Sequence, residues 1–274
     1  ALTAAAIVLA ALTPVVAPAP AAAGSEIDFA RPVPAAYSFG DTTASESDAS
    51  GTATVDGEEY ASLRAALDAA APGDTVTLVG RFDERVTVNT SGITLTSAPG
   101  SLAVIDGGET DDVLTIEAPD VTVERLWIRN SGLATEDNDA GVWIAGANAT
   151  VRDSRLTAVT FGVWVDGVDD VLVANNTIVG RESVTPLSYR GNGVQLWRTS
   201  DTLVRENRIT DVRDGIYYSW ASRVTARNNT MWDLRYGVHY MYSDHCTLEG
   251  NTALDNDAGC ALMVPPHVRI VDNV

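Results

Sequence analysis

The residues best suited to bind a metal ion are concentrated in one short stretch of the sequence. All three histidines, both cysteines and all three methionines lie between Met231 and His267. Thioether and imidazole groups are good ligands for soft ions such as Cu(I). This stretch therefore indicates a soft-metal site, provided that the fold turns several of these side chains to one surface.

The elements that must position these residues are short alternating segments, each opened by a glycine. Within each segment apolar residues occupy every second position, which is typical of β-strands. Most steps between the glycines are 22 residues, and repetition at this period predicts a solenoid. We expect an all-β fold, a single-stranded right-handed parallel β-helix with coils of about 22 residues. The glycines are Gly141, Gly162, Gly193, Gly215, Gly237 and Gly259.

A series of asparagines repeats in step with the glycines. Both series contain one step of 31 rather than 22 residues, which predicts a nine-residue insertion within 180–190 that leaves its coil as a loop. Asparagines stacked at one turn position can hydrogen-bond in a ladder and satisfy turn backbone groups. We predict such a structural ladder from Asn176, Asn207, Asn229, Asn251 and Asn273.

The phase of each strand predicts which side chains face solvent. The second and fourth residues after the glycine point outward, so His239 and Met241 share one strand face. Met263 lies one coil after Met241, at about 4.8 Å between strands. We predict that these three bind Cu(I), with His245 or His267 in a nearby turn as a further ligand. The alternative is an apolar contact patch that contains sulfur.

The same phase turns the remaining soft residues inward. Met231, Cys246 and Cys260 are expected to fill the core, which is the common fate of such side chains. Two cysteines are also too few for a disulfide framework.

The outward columns also carry aromatic residues, which predict a face for a partner or a ligand. Two alternatives remain open: the rings stack on one another, or they lie under another segment. In a carbohydrate-binding protein the tryptophans would stack on sugar rings. The residues are Trp143, Trp164, Trp197 and Tyr217.

Catalytic carboxylates are not evident in the repeat. Glycosidases need two carboxyl groups about 5 to 9.5 Å apart, and Asp166 is the only acidic residue of the aromatic face. Aspartates do recur at 22-residue steps in one turn, but arginines follow two residues later, which favours ion pairs. We predict no catalysis, with a polysaccharide lyase, hydrolase or epimerase as the alternative. The turn residues are Asp211, Asp233, Asp255, Arg213 and Arg235.

The composition restricts the class of partner. The net charge is −19 and the 18 basic residues are all arginine. Phosphate backbones require clustered cations, so a nucleic-acid partner is not expected. Strong acidity is typical of proteins from high-salt organisms such as haloarchaea, and ordinary acidic drift is the alternative.

Composition shifts divide the chain into three parts. Residues 1–23 are predicted to be a signal-peptide remnant, because an apolar run precedes small residues and prolines; an uncleaved membrane anchor is the alternative. Residues 24–54 are predicted to be a disordered acidic linker. Residues 55–274 are the predicted β-helix, with a helix over 59–70 that caps its first coil and a truncated C-terminal end.

The coils resemble the NosD family, the exported accessory proteins of nitrous oxide reductase maturation. The most specific stretch runs over 190–243. The first coil, Ser62-Leu-Arg-Ala-Ala-Leu-Asp-Ala-Ala-Ala-Pro-Gly-Asp-Thr-Val, is also similar. The remaining motifs are Arg190-Gly-Asn-Gly-Val, Arg213-Asp-Gly-Ile-Tyr-Tyr and Leu234-Arg-Tyr-Gly-Val-His-Tyr-Met-Tyr-Ser.

This resemblance implies an exported β-helix without hydrolytic activity, at the periplasmic or extracellular face of the cytoplasmic membrane. It implies docking to the permease and ATPase subunits of an ABC transporter, with nitrous oxide reductase or a copper chaperone as a further partner. The expected role is to supply copper or sulfur for the reductase's copper–sulfide site. The alternative is a carbohydrate-binding or carbohydrate-processing β-helix. The metal roles of His239, Met241 and Met263 are inferred from strand phase alone.

Overall fold

The computed structural model describes residues 50–264 and 267–274. The predicted signal remnant and residues 24–49 of the predicted linker lie outside the described residues. The first strand, Thr52–Val55, starts three residues before the predicted start of the folded body at 55. The last residues of the acidic segment thus pair in a sheet.

The coils build three sheets, and each coil gives one strand to each sheet. Sheet 1 has 11 strands, and all its pairings are parallel except those of the first strand. In spatial order its strands are Glu58–Tyr60, Thr52–Val55, Thr75–Val79, Thr94–Ser97, Thr122–Glu124, Thr150–Arg152, Leu172–Ala174, Leu203–Arg205, Thr225–Arg227, Thr247–Glu249 and Arg269–Val271.

Sheets 2 and 3 have eight parallel strands each. Sheet 2 contains Arg81–Phe82, Ala103–Asp106, Leu126–Arg129, Arg155–Thr157, Thr177–Val179, Arg208–Thr210, Thr230–Trp232 and Thr252–Leu254. Sheet 3 contains Val86–Val88, Leu114–Ile116, Ala140–Ile144, Phe161–Asp166, Val194–Trp197, Asp214–Ser219, Tyr236–Met241 and Ala258–Met263. The predicted right-handed parallel β-helix is thus confirmed.

The register of sheet 3 follows the glycine repeat. Gln195 pairs with Tyr217, Tyr217 with His239, and His239 with Ala261. Ile216 and Val238, which alternate with these residues, are buried in the core between the sheets. A period of 22 residues therefore keeps each column of side chains on one wall of the solenoid.

The five repeated asparagines form a continuous hydrogen-bonded ladder. The Nδ2 atom of each donates to Oδ1 of the next at 2.8 to 3.1 Å. The same Oδ1 atoms accept the backbone N–H of the preceding asparagine, and each Nδ2 also donates to a backbone carbonyl. Each buried amide thus satisfies turn groups that the sheets do not reach.

The first coil is capped by the helix Leu63–Ala69, which buries Leu63, Ala66 and Leu67. Ser62 is its N-cap, and the carboxylate of Glu84 accepts the N–H groups of Leu63 and Arg64. The helix is shorter than the predicted 59–70, because Glu58–Tyr60 pairs with the first strand.

The insertion leaves the solenoid as a loop, as predicted, and contains one 3₁₀ turn, Leu187–Tyr189. Arg190 closes it by donating to the carbonyls of Val184 and Glu182. Arg181 attaches it to an earlier coil through the carbonyl of Ser131. The coils before and after the loop stay in register because Val163 pairs directly with Val194.

The ladder gives a test of coil-to-coil stabilisation. Asn229→Ala should lower the free energy of unfolding by about 3 kcal/mol, because the Asn207 N–H and the Val204 carbonyl each lose a partner, at about 1–3 kcal/mol per buried group. Urea unfolding followed by circular dichroism measures the loss. Asn273→Ala, at the exposed end of the ladder, is the control and should lose less. Equal losses would contradict a cooperative ladder.

Candidate functional site

The predicted sulfur and imidazole ligands lie on the outer face of sheet 3. Strand alternation turns Val238 and Tyr240 into the core and His239 and Met241 outward. Met263 is the register partner of Met241 on the next coil. The outer face that carries His239, Met241 and Met263 is called the donor face below.

His239 is held in one orientation and has one unused nitrogen. Its Nδ1 lies 3.0 Å from Oδ2 of Asp214. Because a carboxylate only accepts hydrogen bonds, we assign a hydrogen to Nδ1, which in the neutral imidazole leaves the lone pair on Nε2. Nη2 of Arg235 also lies 3.3 Å from Nδ1. Nε2 is buried and has no hydrogen-bond partner among the described residues. The imidazole is only 5% exposed, with the rings of Tyr217 and Tyr236 edge-on at 4.4 and 5.3 Å between centroids.

The carboxylate that orients His239 is fully buried and paired. Arg235 donates to Asp214 through Nε at 2.9 Å and through Nη2 at 2.5 Å, and Nε of Arg213 lies 3.5 Å away. Burial alone would raise the pKa of Asp214, but the hydrogen bonds from His239 and Arg235 and the charge of Arg235 outweigh it and lower that pKa. Asp214 therefore stays ionised at neutral pH and fixes the imidazole.

A bend at the corner before sheet 3 brings Asp214 to this position. Gly215 and Ile216 both face the core, and a side chain on Gly215 would meet Sδ of Met231 at 2.7 Å. Two successive inward residues turn Asp214 to the outside. The predicted ion pairs of Arg213 and Arg235 with the turn aspartates were therefore wrong, because both arginines reach Asp214.

Tyr217 contacts both the imidazole and a thioether of the donor face. Its hydroxyl donates to Sδ of Met241 at 2.7 Å, and its ring contacts His239. Burial raises the pKa of Tyr217, so the hydroxyl stays protonated and remains a donor. Met241 and Met263 are half-buried. A soft ion bound here would meet two thioethers and one imidazole nitrogen after the Tyr217 ring shifts.

The other soft residues lie where the phase predicted. Met231 and Cys246 are buried in the core, and Cys260 packs against it from the inner side of its strand. Burial raises the pKa of Cys246, and it raises that of Cys260 to about 12. Both stay as thiols at neutral pH, and a thiol is a poor metal ligand.

His245 belongs to a different group of side chains. It lies at the corner after the strand Tyr236–Met241, where it stacks on His267 and contacts Asp244. The structure thus does not bring His245 to His239, and it places His267 beside it.

The three tryptophans of the predicted aromatic face pack in one cluster, and Tyr217 lies apart from it beside His239. Trp143 and Trp164 stack on one another, with centroids 5.1 Å apart and planes 6° apart, and Phe161 packs edge-on against Trp164. Trp164 is only 8% exposed. The alternative of mutual stacking therefore describes these two rings. Trp197 is covered by the guanidinium of Arg198, 5.3 Å from its ring.

Sequence reasoning missed Asp214 and Asp244. Asp214 has no equivalent in neighbouring coils, where Asn192 and Tyr236 occupy its position, so no repeat singles it out. The signal that could have found it is Gly215 followed by an apolar residue, which marks a bend. Asp244 lies in a turn, where strand phase gives no direction.

Comparison with known proteins supports one family. Residues 175–274 match the family model NosD, described as periplasmic copper-binding protein (NosD). A Pseudomonas aeruginosa protein, "Probable ABC transporter binding protein NosD", is 39% identical over 115 residues, 41% of this chain and 27% of that protein. A Stutzerimonas stutzeri protein of the same name is 36% identical over 115 residues, 41% of this chain and 26% of that protein. The chain thus spans about a quarter of these relatives, and the resemblance to the NosD family is confirmed for its C-terminal coils.

Solved structures show the same fold at low identity. PfbA, a surface adhesin of Streptococcus pneumoniae, aligns with a TM-score of 0.55 and 13% identity over 70% of this chain and 57% of that chain. An alginate lyase from Paenibacillus sp. aligns with a TM-score of 0.51 and 15% identity over 76% of this chain and 94% of that chain. These likenesses support the fold alone.

The described part of the chain also contains no helix long and apolar enough to cross a membrane.

The buried pair at Asp214 gives a test of the site's framework. Asp214→Asn should lower the free energy of unfolding at pH 7 by about 3–5 kcal/mol, the cost of breaking a buried ion pair. Because the folded pKa is lowered, the carboxylate stabilises the fold above its unfolded pKa of about 3.9 and loses this effect as pH falls through the folded value. Guanidinium unfolding at pH 7 and near pH 3 should show the difference shrinking in acid.

Asp201→Asn is the matched control. Asp201 makes a two-bond pair with Arg223, at 2.8 and 2.6 Å, but on an exposed surface. Asp201→Asn should lower the free energy of unfolding only slightly, because solvent screens the attraction between exposed charges. A difference for Asp214→Asn that is the same at both pH values would contradict the ionised state of that residue.

Proposed function

Because its C-terminal coils match the NosD family model, we propose that this chain is an exported, non-catalytic maturation factor that handles copper for nitrous oxide reductase. The family model is described as periplasmic copper-binding, which supports both copper and export. The curated relatives are named ABC transporter binding proteins, which supports a transporter partner. Permease and ATPase subunits, the reductase and a copper chaperone are the partners proposed.

The observation that carries this proposal is the buried, unpartnered Nε2 of His239. A buried lone pair without a hydrogen-bond donor is costly unless another ligand satisfies it. The geometry around Nδ1, with an ionised carboxylate as acceptor, is the outer-shell arrangement common at metal-bound histidines. Met241 and Met263 supply thioether sulfur on the same face. This donor set fits Cu(I) better than a hard divalent ion.

The donor set suits transfer of copper more than permanent storage. Thioethers and one neutral imidazole leave the charge of the ion uncompensated, and no thiolate takes part, since both cysteines stay protonated in the core. Such a site can hold Cu(I) and still release it to a stronger thiolate or sulfide acceptor. Sulfur as a second cargo is kept open, because copper–sulfide assembly needs both elements.

The non-catalytic role rests on the family comparison, because the curated relatives are named as transporter binding proteins and not as enzymes. A carbohydrate-binding β-helix stays the alternative function.

The ligand set is tested by Cu(I) titration under reducing conditions with a competing chromophoric chelator. The variant His239→Asn/Met241→Leu/Met263→Leu keeps side-chain volume, and the Asn amide can still donate to Asp214. Its Cu(I) affinity should fall at least about tenfold, since loss of even an outer-shell partner costs about 10–100-fold.

Met231→Leu is the matched control, because Met231 lies in the core. It should keep the affinity of the original chain. If the triple variant binds Cu(I) as tightly as the original chain, the ligand set is wrong, while the docking role of the scaffold would survive.

Tyr217 gives a second test, because its hydroxyl competes with copper for the sulfur of Met241. Tyr217→Phe removes a hydrogen bond worth about 1 kcal/mol. Cu(I) affinity should therefore rise about fivefold, measured by the same chelator competition. Tyr236→Phe is the control, because that ring also contacts His239 but its hydroxyl makes no contact with Met241. A fall in affinity for Tyr217→Phe would mean that the hydroxyl supports the bound ion instead.

A further inference from the structure

We propose that Asp244, His245 and His267 form a second metal site, for a divalent transition ion that prefers nitrogen and oxygen ligands. The site is separate from the donor face and does not depend on the copper function proposed above. It lies at the corner that follows sheet 3.

The geometry already brings three ligand atoms together. Nδ1 of His245 lies 2.8 Å from Oδ2 of Asp244, and Nδ1 of His267 lies 3.0 Å from Oδ1 of the same carboxylate. One ligand atom from each residue lies within 4.8 Å of the other two. The two imidazoles stack with centroids 4.6 Å apart and planes 25° apart. Both rings therefore direct the same nitrogen at one carboxylate.

The fold explains why the two histidines coincide. One corner position recurs at 22-residue steps in the last four coils with a left-handed backbone, at φ of 52° to 54°, and its side chains meet in pairs along the axis. We call this set the corner column. The members are Asp201, Arg223, His245 and His267.

The earlier members of the corner column show that it brings charged groups into contact. Arg223 reaches back one coil to Asp201 with two hydrogen bonds. In the next two coils the same position holds imidazoles, which are metal ligands. Asp244, which precedes His245, follows Ser200 and Ser222 along a row of bridged residues. The site is thus set by coil register and not by a flexible loop.

The spacing fits a first-row divalent ion. Zinc bonds to nitrogen and oxygen are about 2.0–2.2 Å long, so two ligands of one tetrahedral ion lie about 3.3 Å apart. The observed nitrogen–oxygen contacts of 2.8 and 3.0 Å, one to each oxygen of Asp244, are a few tenths of an ångström shorter than this spacing. The two nitrogens lie within 4.8 Å of one another, and the stacked rings would turn toward a shared ion. The ion would replace the hydrogens that now join the imidazoles to the carboxylate.

The chemistry differs from that of the donor face. Two imidazoles and a carboxylate select Zn²⁺, Cu²⁺ or Ni²⁺, whereas thioethers select Cu(I). His245, His267 and Asp244 are 61%, 70% and 41% exposed at their side chains, so an ion can reach them directly from solvent. The two sites would therefore select different metal ions: the donor face would bind soft Cu(I), and the second site would bind harder divalent ions.

The test is a calorimetric titration with Zn²⁺. It is run in about 1 M KCl, where the Debye length is about 3 Å and diffuse binding to the acidic surface is screened. The original chain should show one saturable site. His245→Asn and His267→Asn suit this test, because asparagine tolerates the left-handed backbone and lacks the ring. Each should weaken Zn²⁺ binding at least about tenfold.

Asp201→Asn is the matched control, since it removes a carboxylate from the same corner column two coils earlier. It should leave Zn²⁺ binding unchanged. A Cu(I) titration of His267→Asn should also match the original chain, which separates this site from the donor face. The proposal would be overturned if the original chain showed no saturable Zn²⁺ site. It would also be overturned if both histidine variants bound Zn²⁺ as tightly as the original chain.

Discussion

Coil-to-coil register is the constraint on which the rest of this structure depends. Backbone hydrogen bonds join each strand to the same strand of the next coil, and the asparagine ladder locks one turn to the next. A slip of one residue would turn every side chain to the other face of its sheet. It would bury Met241 and expose Tyr240, and the donor face would cease to exist. The chemistry proposed for this protein is therefore a property of the winding as much as of the residues.

The donor face departs from the simple rule for strands at one point, and that point orients its imidazole. The bend at Gly215 turns a carboxylate outward, and the coil above covers it with Arg235. An ionised carboxylate in such a place is stable only because two cations and an imidazole contact it. The same contacts hold the imidazole of His239 in one orientation. A more regular coil would have left His239 free to rotate and to offer either nitrogen.

The fold was largely predictable because its signals repeat. Glycine and asparagine series with one shared interruption predicted the coils, the loop and the ladder, and alternation predicted the wall on which Met241 and Met263 lie. The start of the capping helix was wrong, since strand pairing of Glu58–Tyr60 overrode helical propensity. Strand alternation did not give the directions of Asp214 and Asp244, because bends and turns have no period of two. The 22-residue step from His245 to His267 is in the sequence, but it does not show that both rings face the Asp244 carboxylate. Alternation also gave the direction of Trp143 and Trp164 but not their mutual stacking.

The ladder has a mechanical consequence. It runs from Asn176 to Asn273, and at the preceding coil Ser154 occupies the equivalent position. The Ser154 hydroxyl accepts the N–H of Leu126 but offers no side-chain amide to continue the ladder. Under tension along the axis the coils carry load in series, because each touches only its neighbours. The earlier coils lack side-chain amide hydrogen bonds between coils and should unfold first. The coils that contain the asparagine ladder should stay folded. A pull transmitted from one end would thus spare the segment that carries both proposed metal sites.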